Sequence, residues 1–207
     1  MRGELSVGEP AGLIREIRIE PEPGSWGEAL ARSWERARRD EACLAVRAGL
    51  GLPIDRPLIM TGHQPGFWHL GILSKFFAAQ AVSEVVGGGV AWIVPDQDDA
   101  DPGELMIPVE DAQGRLLRRA ARVLPEPLAG VAAGSVAAMK PLRPDTAGAS
   151  EGVRAGVLEA ATRCGEHAGA SSLAAQAAFA SSDALREVLP PAPFVFASRL
   201  LEQEEAW

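Results

Sequence analysis

Between Leu58 and Lys75 the chain reads LIMTGHQPGFWHLGILSK, a stretch holding His63 and His69, two of its three histidines, and one of its lysines, the other being Lys140. These residue types suit anion chemistry. Imidazole and ammonium groups donate to phosphate or carboxylate oxygens, and glycines let the amides of a helix start approach an anion closely. Thr61, Gly62, Gln64, Gly66, Gly71 and Lys75 are the candidate nucleotide- or anion-binding residues, with His63 and His69 as candidate catalytic donors. Structural roles compete with these: His69 as a helix cap, Phe67 and Trp68 as core, Lys75 as a snorkelling side chain. Farther along, residues 95–101 read PDQDDAD. Asp96 and Asp98 are candidate catalytic carboxylates that orient a substrate amine or hydroxyl. Together with Asp99 they are also candidate ligands for Mg²⁺, which takes one or two carboxylates plus substrate phosphates. A solvated turn with a helix cap is the third reading. The spacing is not that of an EF-hand loop, which needs glycine at its sixth position and glutamate at its twelfth.

The elements that would position these groups follow from the hydrophobic pattern. Pro57–Thr61 is a short strand, Gly62–Gly66 a turn, and Leu70–Val86 a helix apolar on most of its sides, hence expected to be buried. Gly87, Gly88 and Gly89 stop it, and VAWIV at Val90–Val94 is a continuous apolar strand of parallel-sheet type. Strand, turn, helix and strand make a βαβ unit. Adjacent parallel strands lie about 5 Å apart, so the glycine turn and the acidic loop should be neighbours beyond the carboxyl ends, where such sheets bind ligands. The triple glycine follows the helix rather than preceding it, so it is no dinucleotide fingerprint.

Upstream, LIREIRIE at 13–20 alternates like a half-buried strand. Ser25 is a candidate N-cap for a helix carrying Trp26, Leu30 and Trp34 and running to about Leu50. Downstream, Glu104–Val109 and Arg115–Leu124 flank DAQG as a hairpin. The stretch 125–150 reads as loop or linker, 152–188 as two helices, FVFA as a last short strand, with a helix from Ser198. The chain divides into 1–56 (strand and helix), 57–124 (βαβ unit with hairpin), 125–150, and 151–207, whose strand completes the same domain. The expected fold class is α/β, a Rossmann-like parallel sheet with a β-hairpin insertion and additional helices.

Composition narrows the function. A net charge of −8 argues against broad nucleic-acid binding, which needs clustered Lys and Arg. Arg115–Arg122 alternates with apolar residues, the pattern of a solvated strand face. Cys43 and Cys164 have neither a disulfide framework nor metal-ligand spacing, and nothing resembles a nucleophile–base pair. No signal peptide or membrane span is legible, so the expected location is cytoplasmic. The expected partner is a small-molecule substrate or nucleotide. The acidic ending at Trp207 adds the expectation of a homo-oligomer or of a C-terminal partner chain.

TGHQPGFWHLGILSKF followed by VAWIVPDQDDAD resembles the N-terminal region of the cysteine-adding ligases of bacillithiol biosynthesis, over about residues 57–124. Those proteins carry a TGQQPG-type turn, a helix with a basic residue, and an apolar strand ending in an acidic E-D-H-D-type cluster. Their core is similar to the nucleotidylyltransferases and class I aminoacyl-tRNA synthetases. His69-Leu70-Gly71 resembles the first three positions of their HxGH signature. The resemblance implies a Rossmann-like fold, ATP with Mg²⁺ as cofactors, and a carbon–nitrogen ligase or nucleotidyltransferase-like activity. The alternative is a non-catalytic binding or assembly module that keeps the fold and requires a partner chain.

Overall fold

The computed structural model describes residues 27–189 and 191–203. The strand expected at 13–20, the cap at Ser25 and the chain end at Trp207 lie outside the described residues. In chain order the elements are α1 (Gly27–Ala37), α2 (Glu41–Gly49), β1 (Leu58–Gly62), α3 (Leu70–Val86), β2 (Gly89–Val94), β3 (Glu104–Glu110), β4 (Leu116–Arg122), α4 (Glu151–Glu166), α5 (Leu173–Ala184), β5 (Phe194–Phe196) and α6 (Ala197–Leu201). This is a mixed α/β fold: β1, β2 and β5 form a parallel sheet in the order β1-β2-β5, and β3 and β4 form a separate antiparallel pair. None of its described helices is long and apolar enough to cross a membrane.

The single helix expected to run to about Leu50 is broken at residues 38–40. Asp40 is extended there, and its carboxylate accepts from the Cys43 amide as the N-cap of α2. A short acidic side chain gives the backbone an alternative to helical continuation, which outweighs the apolar periodicity running through the break. The βαβ unit has nearly the expected limits. His69 caps α3 at its start and Gly87, left-handed at φ 63°, closes it. Burial on α3 is confined to one stripe of Ile72, Leu73, Phe76, Ala79, Val82 and Ser83. Leu70 and Val85 on the outer side are 78% and 63% exposed, so the helix covers the sheet with one face and is not buried on the other.

Period-two alternation along β2 divides the core. Val90 and Trp92 face α3 and join Trp68, Phe76 and Leu189. Ala91 faces the other way and meets Leu52 and Val195. A third cluster lies under the hairpin, where Ile107, Val109 and Ala121 pack on Val157, Cys164, Leu173 and Ala177 of α4 and α5. The stretch 125–150 contains only a short 3-10 turn at Ala133–Ser135, yet it is strapped down at several points. Ala133 and Gly134 donate to the Asp98 and Asp96 carbonyls, and the Val136 carbonyl accepts from Leu173. Gln176, fully buried, donates to the Met139 and Cys164 carbonyls and accepts from the Met139 amide, so one amide side chain ties the strap to two helices.

Candidate functional site

The parallel pairing of β1 with β2 brings the glycine turn and the acidic loop together at the carboxyl edge. They touch through Gln64, whose amide donates to Asp98 Oδ2 at 2.5 Å, and the Gln64 carbonyl accepts from Trp68 Nε1 at 3.2 Å. Phe67 packs into the hairpin core while Trp68 is buried in the α3 core, so adjacent residues pin the turn to two clusters.

Each expected glycine has a structural partner. A Cβ on Gly62 would lie 2.0 Å from the Ile93 carbonyl oxygen, so this position serves the close approach of β1 to β2. Gly66, at φ 147°, lies against Pro102, and its carbonyl accepts from Ser181 Oγ at 2.6 Å. Gly71 leaves room for the His69 ring, whose Nδ1 accepts from the Gly71 amide at 3.1 Å. The capping role open to His69 in the sequence is therefore the one it takes. The amides of Gly71, Ile72 and Leu73 are all engaged by His69. What faces an incoming anion at this helix start is chiefly side chains: the outer nitrogen of exposed His69, half-buried His63 and exposed Lys75. His63 lies within electrostatic reach of both Lys75 and His69. His63 is shifted below the ordinary imidazole value first by burial, then by the Lys75 charge, with His69 adding to the effect and a backbone hydrogen bond opposing it. Thr61, the penultimate residue of β1, is half-buried on the same edge.

The acidic residues diverge. Asp96 is 3% exposed, and its carboxylate accepts from the Ser198 amide at 2.8 Å and the Ser198 hydroxyl at 2.5 Å, holding the start of α6 against the end of β2. Asp98 accepts from Gln64 and from the Ala100 amide. Its carboxyl is held below the usual range, most strongly by the Gln64 amide, with bonds from Asp99 and Ala100 assisting against partial burial. Asp101 accepts from Arg122 of β4 and from the Gly103 amide. Asp99 is exposed. Asp96, Asp98 and Asp99, expected as metal ligands, thus do not converge; no group of three or more His, Cys, Asp or Glu among the described residues is disposed to hold a metal ion.

Two polar partnerships here lay outside the sequence reading. Ser198 lies 102 positions from the Asp96 it anchors, and no local pattern marks such a pair. His167, the third histidine, holds Asp183 at 2.7 Å through Nε2 and packs on Phe179, joining the end of α4 to α5. Compared with protein-family models, with curated proteins and with solved structures, the chain matches none of them.

Proposed function

We propose that the carboxyl edge of the parallel sheet binds a small anionic ligand, a nucleotide or another phosphate- or carboxylate-bearing molecule, in a Rossmann-like arrangement similar to the ATP-dependent cysteine ligases. The observation that carries this reading is the gathering of His63, His69 and Lys75 on one strand–turn–helix, close enough for the other two charges to depress the His63 proton affinity. A phosphate placed among them removes that mutual repulsion, so binding and protonation of His63 favour each other. Gln64, fixed by Asp98, orients the turn. If the ligand arrives as a Mg²⁺ complex, exposed Asp99 and the outer edge of Asp98 are the carboxylates at hand, and Asp96 is committed to Ser198. The chemistry this suits is ligation or nucleotidyl transfer, driven by positioning and charge stabilisation rather than by a protein nucleophile.

A second reading, a non-catalytic assembly module, draws support from the acidic loop, whose Asp96 and Asp101 carboxylates serve internal contacts. Calorimetric titration with ATP, ADP and AMP, with and without Mg²⁺, separates the two. The anion-binding reading expects heat for at least one nucleotide, weakened tenfold or more by His63→Ala or Lys75→Met. Absence of binding in a folded wild-type chain favours the module.

A further inference from the structure

Beside β1 runs a groove of about 300 Å³, the size at which small-molecule sites begin. Ile59 of β1 forms one wall and Ala78, Ala79 and Val82 of α3 the other, with Leu30 of α1 and Met60, whose side chain lies on the opposite face of the sheet beside Ala91, also lining it. The polar members of the lining are Thr61 and Lys75. β1 is an edge strand of its sheet, so no described strand closes this side. Because α3 runs back from the carboxyl edge, Thr61 and Lys75 sit at the end of the groove nearest the glycine turn, while Ile59 and Val82 sit at the far end. From Lys75 to Val82 the helix advances about 10 Å. Lys75 makes no ion pair with any described residue. The groove is thus an open apolar cleft with, at one end, one hydroxyl and one cation that has no ion-pair partner among the described residues.

We propose that this groove holds an unbranched monocarboxylate of roughly six to eight carbons, the chain length that about 10 Å of helix accommodates. The carboxylate lies on the Lys75 ammonium and the Thr61 hydroxyl, and the chain runs along Ala78, Ala79 and Val82. The polar end rests on the anion-binding reading above. The apolar end extends it, because neither phosphate nor a small polar acid fills a channel of this lining. Charge selects the head group: an amine of equal length meets Lys75 and is repelled.

The test is titration of the full chain, methyl-labelled at isoleucine and followed by NMR, with acetate, hexanoate, octanoate and hexylamine, with inorganic pyrophosphate in parallel. Expected are a shift of the Ile59 methyl, affinity rising roughly two- to fourfold per added methylene, and no binding of hexylamine. Lys75→Glu, at an exposed position that leaves the fold intact, should weaken octanoate tenfold or more. Ala78→Phe should do the same by filling the channel without weakening pyrophosphate. Octanoate binding no tighter than acetate, or binding indifferent to Lys75→Glu, overturns the proposal. So does a dimer that Met60→Glu dissociates, since a second copy then occupies the groove. Pyrophosphate binding without chain-length dependence removes the groove and keeps the anion site. The reverse result keeps the groove and removes phosphate, and loss of both removes the two readings together.

Discussion

His63 takes up its proton at a lower pH in the folded protein than in the unfolded chain, because burial and the charges of Lys75 and His69 oppose it. Between the two pKa values the unfolded chain binds more protons, so stability rises with pH there and is lost on acidification. The contribution is complete above the ordinary imidazole value of 6.5 and is lost as pH falls through the folded value. Urea denaturation at pH 7 and pH 5 should therefore show a smaller acid loss in His63→Gln than in the wild type. Asp96 and Asp98 differ in another way. Asp96→Ala strips a buried carboxylate from the Ser198 amide and hydroxyl and should cost about 2–3 kcal/mol, read from the denaturation midpoint. Asp98→Ala, at a partly exposed position, should move the midpoint far less. Equal losses at the two positions would contradict these assignments. Cys164 is fully buried, and burial pushes its thiol up to about 12. A thiol reagent should accordingly modify Cys43 alone in the native protein and both cysteines in denaturant.

Among the elements, the strap at 125–150 shows how a stretch without regular structure becomes fixed. Part of its polar backbone, the Met139 amide and carbonyl, is satisfied by one side chain, Gln176, on a helix whose other buried residues are mostly alanines. Gln176→Leu leaves the Met139 amide and two carbonyls without partners and should cost about 3 kcal/mol, detectable as a lowered melting temperature. An unchanged midpoint would show that water replaces these bonds. The limits of α3, β2 and the hairpin were legible because each is set locally: His69 and Gly87 at the ends of α3, an apolar run in VAWIV, a turn at Asp111–Gly114. The break at Asp40 was hidden, since no glycine or proline stands between Glu28 and Ala48 and only the cap decides. The meeting of Gln64 with Asp98 follows from strand pairing, whereas the capture of Asp96 by Ser198 depends on where β5 joins the sheet. Four aspartates in a row of seven residues read alike in sequence, and tertiary partners alone separate them.

At the scale of the molecule, the packing clusters converge on the carboxyl edge. Phe67 enters the hairpin core, Trp68 the α3 core, and Ser181 of α5 holds the Gly66 carbonyl between them. The turn is thereby fixed from two sides, which suits a site that works by positioning. The same edge holds Lys75 and two histidines beside the acidic loop, in a chain whose net charge is −8, so the proposed anion binding depends on local geometry and should weaken as salt screens Lys75. The most direct test of the anion-binding account is an NMR pH titration of the His63 ring with and without pyrophosphate. The account predicts a free-protein pKa below 6.5 that rises when pyrophosphate binds, with the rise reduced in Lys75→Met. A His63 pKa unmoved by saturating pyrophosphate in the folded protein would contradict it.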